Sequence, residues 1–252
     1  MKCATRVVVS KLGTLAGLAG IEHGIGETLQ GNVAPDGLMI VAWPGWELFR
    51  ILAGEPAMTI IPSLLVTGIL AILFSLLYLA WATVLVKRKN SGLVLILLSV
   101  IMLLAGAGYG SALLAFIIGL VATRINVAGA GRRTRLPAGI RHASVKLWPR
   151  TYVACVVAWL LLMPGTIILA YVFGTDNVAP ALPVFILAAF GTLLLAIFTG
   201  FAYDGQQLAD IGKGPQVKRL ADQAAEAKAD HPDRNDCINE AENRALHREH
   251  RA

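Results

Sequence analysis

The sequence predicts an all-α protein, a polytopic bundle of transmembrane helices carrying a glycine-broken hairpin and a charged cytoplasmic tail. Hydrophobic residues make up 56% of the 252, and mean hydropathy is +0.65. Several apolar runs reach the ~20 residues that a helix needs to cross ~30 Å of hydrocarbon. The formal charge of +6 is carried by short basic stretches beside those runs rather than by one folded face. It therefore reads as a topology signal facing anionic lipid and not as a nucleic-acid footprint.

The first helix is expected over residues 10–31. Wound at ~100° per residue, KLGTLAGLAGIEHGIGETLQG gathers Gly13, Gly17, Gly20, Gly24 and Gly31 into one strip. Leu15, Leu18, Ile21, Ile25 and Leu29 fall on the opposite face. Each glycine costs about 1 kcal/mol in a helix in water, whereas in a bilayer small residues let helix backbones approach closely. The strip should pack on another helix of this chain or, alternatively, on a second copy in a homo-oligomer.

Between the two faces lies a polar arc of Glu22, His23, Glu27 and Gln30. Ionisable groups inside a span mark ion or proton sites by default. In that reading Glu27 is the titrating carboxylate, His23 at i, i+4 is its partner, and Glu22 lies nearer the lipid. The plainer alternative is an internal hydrogen-bonded pair, or a helix set high enough for Glu27 and Gln30 to touch outside water. Lys2 and Arg6 suggest the basic region of a signal peptide, but Lys11, Glu22 and His23 interrupt the apolar part. The helix is expected to be retained.

Residues 32–61 read as a loop broken by Pro35, Pro44 and Pro56, with apolar pieces too short to span. Trp43, Trp46 and Phe49 suit either a membrane interface or a loop packed on the helix ends. Residues 62–86 form an uninterrupted span of about 37 Å, opened by Pro62 and stopped by Lys87, Arg88 and Lys89.

A straight helix over residues 93–123 would run about 46 Å and need a tilt of about 50°, beyond the usual ~0–40°. Gly106, Gly108 and Gly110 supply a break and leave two arms of about 20 Å. Such arms suit a re-entrant or short helical hairpin whose irregular tip is covered by protein; one kinked helix is the alternative. Residues 124–150 are basic, with Arg124, Arg132, Arg133, Arg135, Arg141, Lys146 and Arg150 and no acidic residue. Residues 151–173 span again, kinked at Pro164 and Gly165, and residues 182–203 form the last span.

The tail, residues 204–252, contains no aromatic residue and cannot bury a core of its own. Val217, Leu220, Ala221, Ala224 and Lys228 fit a short surface helix after Pro215. Cys237, His247 and His250 are better read as solvated groups than as a metal site, and Cys3, Cys155 and Cys237 show no paired spacing. No metal or other cofactor is expected.

Charge then fixes orientation. If residues 93–123 return to their starting side, one face holds every Lys and Arg of the 22 except Arg50. The positive-inside tendency puts that face, with both termini, in the cytoplasm.

The runs GIEHGIGETLQGNVAPDG, GEPAMTIIPSLLVTGILAI and KRKNSGLVLILLS, within roughly residues 10–126, resemble an uncharacterised family of prokaryotic integral membrane proteins. The resemblance implies a prokaryotic cell membrane and no particular activity. Two function classes stay open. A small transporter or channel would use the Glu/His site, the glycine break and the Pro164 kink as pathway elements. A structural or regulatory membrane protein would use the glycine seam for assembly and the tail for a cytoplasmic partner. An enzyme is not expected, because the spans carry no Ser/His, Cys/His, HExxH or paired-Asp motif, so no catalytic residue is named.

Overall fold

The computed structural model describes residues 4–125 and 138–212. The chain divides into two compact units, Met1–Gly205 and Gln206–Ala252. The tail's expected surface helix and Cys237, His247 and His250 lie outside the described residues, as do Arg132, Arg133 and Arg135 of the basic stretch. Among the described residues the fold is helical apart from one small ribbon. Four helical segments are long and apolar enough to cross a membrane: Ala4–Leu29, Leu64–Leu85, Ala143–Phe173 and Thr175–Gln207.

Helix α1 (Ala4–Leu29) starts earlier than the expected residue 10. The first amides of a helix lack intrahelical acceptors, and here the Asp204 carboxylate takes them. Its oxygens accept from Ala4 N at 2.6 Å, Thr5 N at 2.9 Å and the Thr5 hydroxyl at 2.5 Å. A cap supplied 199 residues away leaves no local sequence signal. The longer helix moves Glu22 and His23 out of the middle and into the last third. Gly31 is not part of the strip: it follows the helix at φ +81° with no neighbouring atoms where a side chain would go.

The strip itself lies against α2 (Leu64–Ala80), whose helix continues as a π turn over Trp81–Leu85. A Cβ on Gly13 would sit 2.7 Å from the Ala82 Cβ, one on Gly17 2.9 Å from the Leu79 Cβ, and one on Gly24 2.7 Å from the Gly68 carbonyl. Gly20 faces Ser75 and Met102. Ser63 caps α2 by accepting from Val66 N at 3.4 Å, so Pro62 stands just before the cap rather than in the first turn.

The expected loop 32–61 contains an antiparallel ribbon. Strands β1 (Met39–Val41) and β2 (Pro56–Met58) pair Met39 with Met58, Ile40 with Ala57 and Val41 with Pro56. Between them a 3₁₀ turn, Glu47–Leu52, brings Phe49 to stack on Trp43 at 4.7 Å while Trp46 meets Trp43 edge-on at 5.3 Å. Trp43 is buried and Trp46 exposed.

Helices α3 (Ser91–Leu104) and α4 (Tyr109–Thr123) are each about 22 Å long. They pack on one another with their feet together: a Cβ on Gly92 would lie 2.6 Å from the Thr123 Cα. The break between them is Ala105–Gly108, with Gly106 at φ +89° and Gly108 at φ +83°. Gly110 does not belong to it; it lies in the first turn of α4 with open space beside it. Thr59 bridges to Ala105, and Ile60 N donates to the Leu104 carbonyl at 3.3 Å, so the segment just after β2 holds the tip.

Helix α5 (Ala138–Leu160) begins within the basic stretch rather than at residue 151 and accommodates Pro149. Its extension is anchored by Trp148, stacked on Tyr152 at 5.6 Å and tilted against Tyr203 at 5.2 Å, and by a hydroxyl pair, Thr151 with Thr199, at 2.8 Å. Lys146 and Arg150 stay exposed. Pro164 and Gly165 lie in a π turn, Leu161–Gly165, before α6 (Thr166–Phe173). A short turn, α7 (Thr175–Val178), leads to α8 (Leu182–Gly212), which runs past the expected end at residue 203.

The core joins Leu12 and Ala16 of α1, Tyr78 of α2, Leu95 and Met102 of α3, Ile118 of α4, Trp159 of α5 and Leu193 of α8. Tyr78 is fully buried and donates its hydroxyl to the Ala115 carbonyl at 2.8 Å. Leu73, Leu77, Leu97, Val157, Leu187 and Leu194 are exposed on outer helix faces, as apolar side chains facing lipid would be.

Candidate functional site

The last third of α1 carries the polar arc, and the ribbon and the α3–α4 tip close over it. Gln30 has a structural job: its amide donates to the Val41 and Ala42 carbonyls at 2.9 and 3.0 Å and straps the ribbon to the helix. Gly26 lets Trp43 come close, since a Cβ there would be 2.7 Å from the indole ring. The Trp43 indole N–H donates to Glu22 Oε1, so Glu22 is held under the ribbon rather than turned toward lipid.

His23 is buried, and its Nδ1 lies 3.0 Å from the Ala19 carbonyl and 3.2 Å from Glu22 Oε2. The expected His23–Glu27 hydrogen bond does not form. The ring instead presents Nε2 to Glu55, 3.4 Å from Oε2. That contact lacks hydrogen-bond alignment, and Glu55 Oε2 has no hydrogen-bond partner among the described residues.

Glu55 enters from the turn before β2. Ala53, Gly54 and Glu55 run consecutively at φ 53°, 72° and 59°, a left-handed stretch that costs roughly 1–2 kcal/mol at each non-glycine position. Backbone bonds on both sides hold it: Ala53 N, Gly54 N and Glu55 N donate to Arg50 O, Phe49 O and Leu52 O at 3.1, 2.9 and 2.9 Å, and Ala42 N and Trp43 N donate to Glu55 O and Gly54 O at 3.1 and 3.0 Å. The strained turn turns the carboxylate inward, where it is 8% exposed. Burial pushes its pKa up to about 8; His23 opposes the shift and Glu22 adds to it. Glu22, His23 and Glu55 each bring one ligand-capable atom to within 4.8 Å of the others.

Glu27 occupies a separate niche. It is 0% exposed, and neither carboxylate oxygen has a hydrogen-bond partner among the described residues. A Cβ on Gly106 would fall 2.5 Å from Glu27 Oε1 and 2.5 Å from the Thr67 Cγ2. Thr67 in turn shares a hydroxyl contact of 3.0 Å with Thr59. Gly108 abuts the His23 ring. The two left-handed glycines of the break are thus the residues that let backbone approach both ionisable groups. A carboxylate buried without a partner costs several kcal/mol, so the niche calls for a proton or a cation.

The structure brings Glu22, His23, Gly106, Gly108 and Glu27 around one end of α1 and leaves Gly110, Pro164 and Gly165 out. Sequence reasoning missed Glu55, Trp43 as a partner of Glu22, and Thr67. Glu55 was visible as a lone acid between glycine and proline in GEPAMTII, but nothing local said that it points inward. No family model, curated protein or solved structure matches the chain.

Proposed function

We propose that this chain is a multi-pass protein of a prokaryotic cell membrane, with both termini cytoplasmic, that moves a proton or small cation through the polar end of α1. The observation that carries the reading is the wrapping of His23 and Glu27 by a helix break, with Gly108 against one and Gly106 against the other. Discontinuous helices that meet ionisable residues at depth are how membrane proteins build ion and substrate routes. In this reading α3 and α4 enter and leave on the cytoplasmic side, and the tip meets a site reached from outside beneath the ribbon. The glycine strip is taken up by α2 within the chain, which favours transport over a role in assembly through that seam.

Reconstituted in liposomes, the protein should carry a flux driven by a pH gradient. Glu27→Gln keeps the shape, removes the charge and should abolish that flux. A normally folded variant with unchanged flux would refute the assignment. For topology, a membrane-impermeant thiol label should reach cysteines placed at Asp36 and Asn177 from outside but not at Asn90 or Ala138; outside labelling of Ala138 together with Asp36 would defeat the hairpin.

A further inference from the structure

We infer that Glu22, His23 and Glu55 form a binding site for a divalent transition-metal ion of the zinc, cobalt or manganese type, open to a further ligand. The inference rests on the reading of this end of α1 as a cation site and names the ion.

Tautomer is the first ground. His23 Nδ1 sits 3.0 Å from the carbonyl of Ala19, one turn earlier in its own helix. An N–H donated there leaves the Nε2 lone pair facing outward, the arrangement by which metal-binding histidines are oriented. Nε2 then faces Glu55 Oε2 at 3.4 Å. That separation needs a positive charge between the two atoms, which a proton supplies in the ion-free site and a metal ion supplies in its place. With bonds of ~2.1 Å, two ligands of a tetrahedral divalent metal stand about 3.4 Å apart.

Burial and strain are the second ground. The Glu55 side chain is more than nine-tenths buried, its Oε2 has no hydrogen-bond partner among the described residues, and it is aimed at the ring from a left-handed turn. Non-glycine residues keep such conformations where the surroundings over-determine them, often at functional sites. Gly108 in the break admits the imidazole, since any Cβ there would overlap the ring.

Charge selects the valence. Two carboxylates and a neutral imidazole carry two negative charges, which a dication neutralises and a monovalent ion does not. Mixed nitrogen and carboxylate ligands suit zinc, cobalt and manganese better than magnesium or calcium, which prefer oxygen alone. Three protein ligands leave a position for water or an exchanging group, as a site that loads and releases its ion requires. Glu22, partly exposed beneath Trp43, gives the site its opening.

The test uses the full chain purified in detergent and stripped with chelator, titrated with Co²⁺ and, in competition, Zn²⁺. Saturable 1:1 binding with the visible absorption of low-symmetry four- or five-coordinate cobalt is expected. Glu55→Gln and His23→Gln should each weaken it at least about 100-fold, because loss of a mere orienting partner already costs 10–100-fold. A triple variant of the rival tail groups, Cys237→Ser with His247→Gln and His250→Gln, should retain the wild-type affinity. Metal should also raise the unfolding temperature of wild type and not of Glu55→Gln. If a variant fails to fold, wild type alone decides: spin-echo spectra of bound Cu²⁺ must show a single imidazole. Absence of saturable binding, binding that survives Glu55→Gln, or binding lost only in the tail variant would overturn the inference. Glu27-dependent proton flux without metal binding would sink the metal site and leave the transport reading intact. Metal binding by these ligands without any flux would do the reverse.

Discussion

Gly106→Ala tests the central juxtaposition, the docking of the α3–α4 break on the buried carboxylate of α1. Two costs arise. Gly106 stands at φ +89°, where an L side chain costs roughly 1–2 kcal/mol. The new methyl would also sit 2.5 and 2.6 Å from the two oxygens of Glu27 and 2.5 Å from the Thr67 methyl, well inside van der Waals contact. Overpacking of this kind costs typically 1–3 kcal/mol, so the loss should total about 2–5 kcal/mol. Gly110→Ala is the internal reference. It lies in helix with open space at its Cβ, and alanine there should stabilise by up to ~1 kcal/mol. Equilibrium unfolding in mixed detergent gives both values. The steric part is separable from the backbone part: in a Glu27→Ala background the oxygens are gone, so Gly106→Ala should cost about 1–2 kcal/mol less, while the φ penalty persists. If Gly106→Ala is as mild as Gly110→Ala, or if its cost is the same with and without Glu27, the break does not rest on Glu27.

Asp204→Ala removes the acceptor for Ala4 N, Thr5 N and the Thr5 hydroxyl. It should cost about 1–2 kcal/mol and raise hydrogen exchange in the first turn of α1, with partial rescue by Asn; unchanged exchange there would refute the cap. Gly17→Leu drives a side chain into Leu79 and Ser75 and should cost at least about 1–3 kcal/mol. Leu18→Ala, on the exposed face, should be mild, and equal effects would remove the seam. In metal-free protein, Glu55 with its pKa raised from 4.5 to about 8 favours the fold while neutral. Its contribution is complete below pH 4.5 and is lost as pH rises through about 8. Glu55→Gln, which leaves Glu22 and His23 facing the same turn, should flatten that part of the stability–pH curve; a profile identical to wild type would contradict the burial of Glu55.

Periodicity and composition are read at short range, and the features legible in the sequence were those that act at short range. The glycine strip at Gly13, Gly17, Gly20 and Gly24 follows from helical spacing, and a break near Gly106 follows from a run too long for a bilayer. Helix ends were legible only approximately, and best where the signal was local, as with Pro62 one residue before the cap of α2. Ser63 is adjacent to α2, whereas the cap of α1 comes from Asp204 and the extension of α5 is held by Trp148 against Tyr203. A boundary drawn from charge alone therefore stopped at residue 151, although exposed Lys146 and Arg150 let a helix carry basic residues beyond the hydrocarbon.

The candidate site divides along the same line. Its helical half, Glu22, His23 and Glu27, could be named from spacing, because residues on one helix share geometry whatever surrounds them. The other half, Glu55, depends on three left-handed residues and on a ribbon that pairs Met39 with Met58, and those contacts exist only once the ends of α1 and α2 are in place. Had His23 and Glu27 simply satisfied one another, α1 would need no second element at this end. The observed arrangement separates them: His23 turns to a carboxylate brought by the loop, and Glu27 turns to a backbone break brought by the hairpin. His23 thereby meets both the ribbon and the hairpin tip, whereas Glu27 meets the tip, so a shift of the tip changes the surroundings of both and a shift of the Glu55 turn acts first on His23.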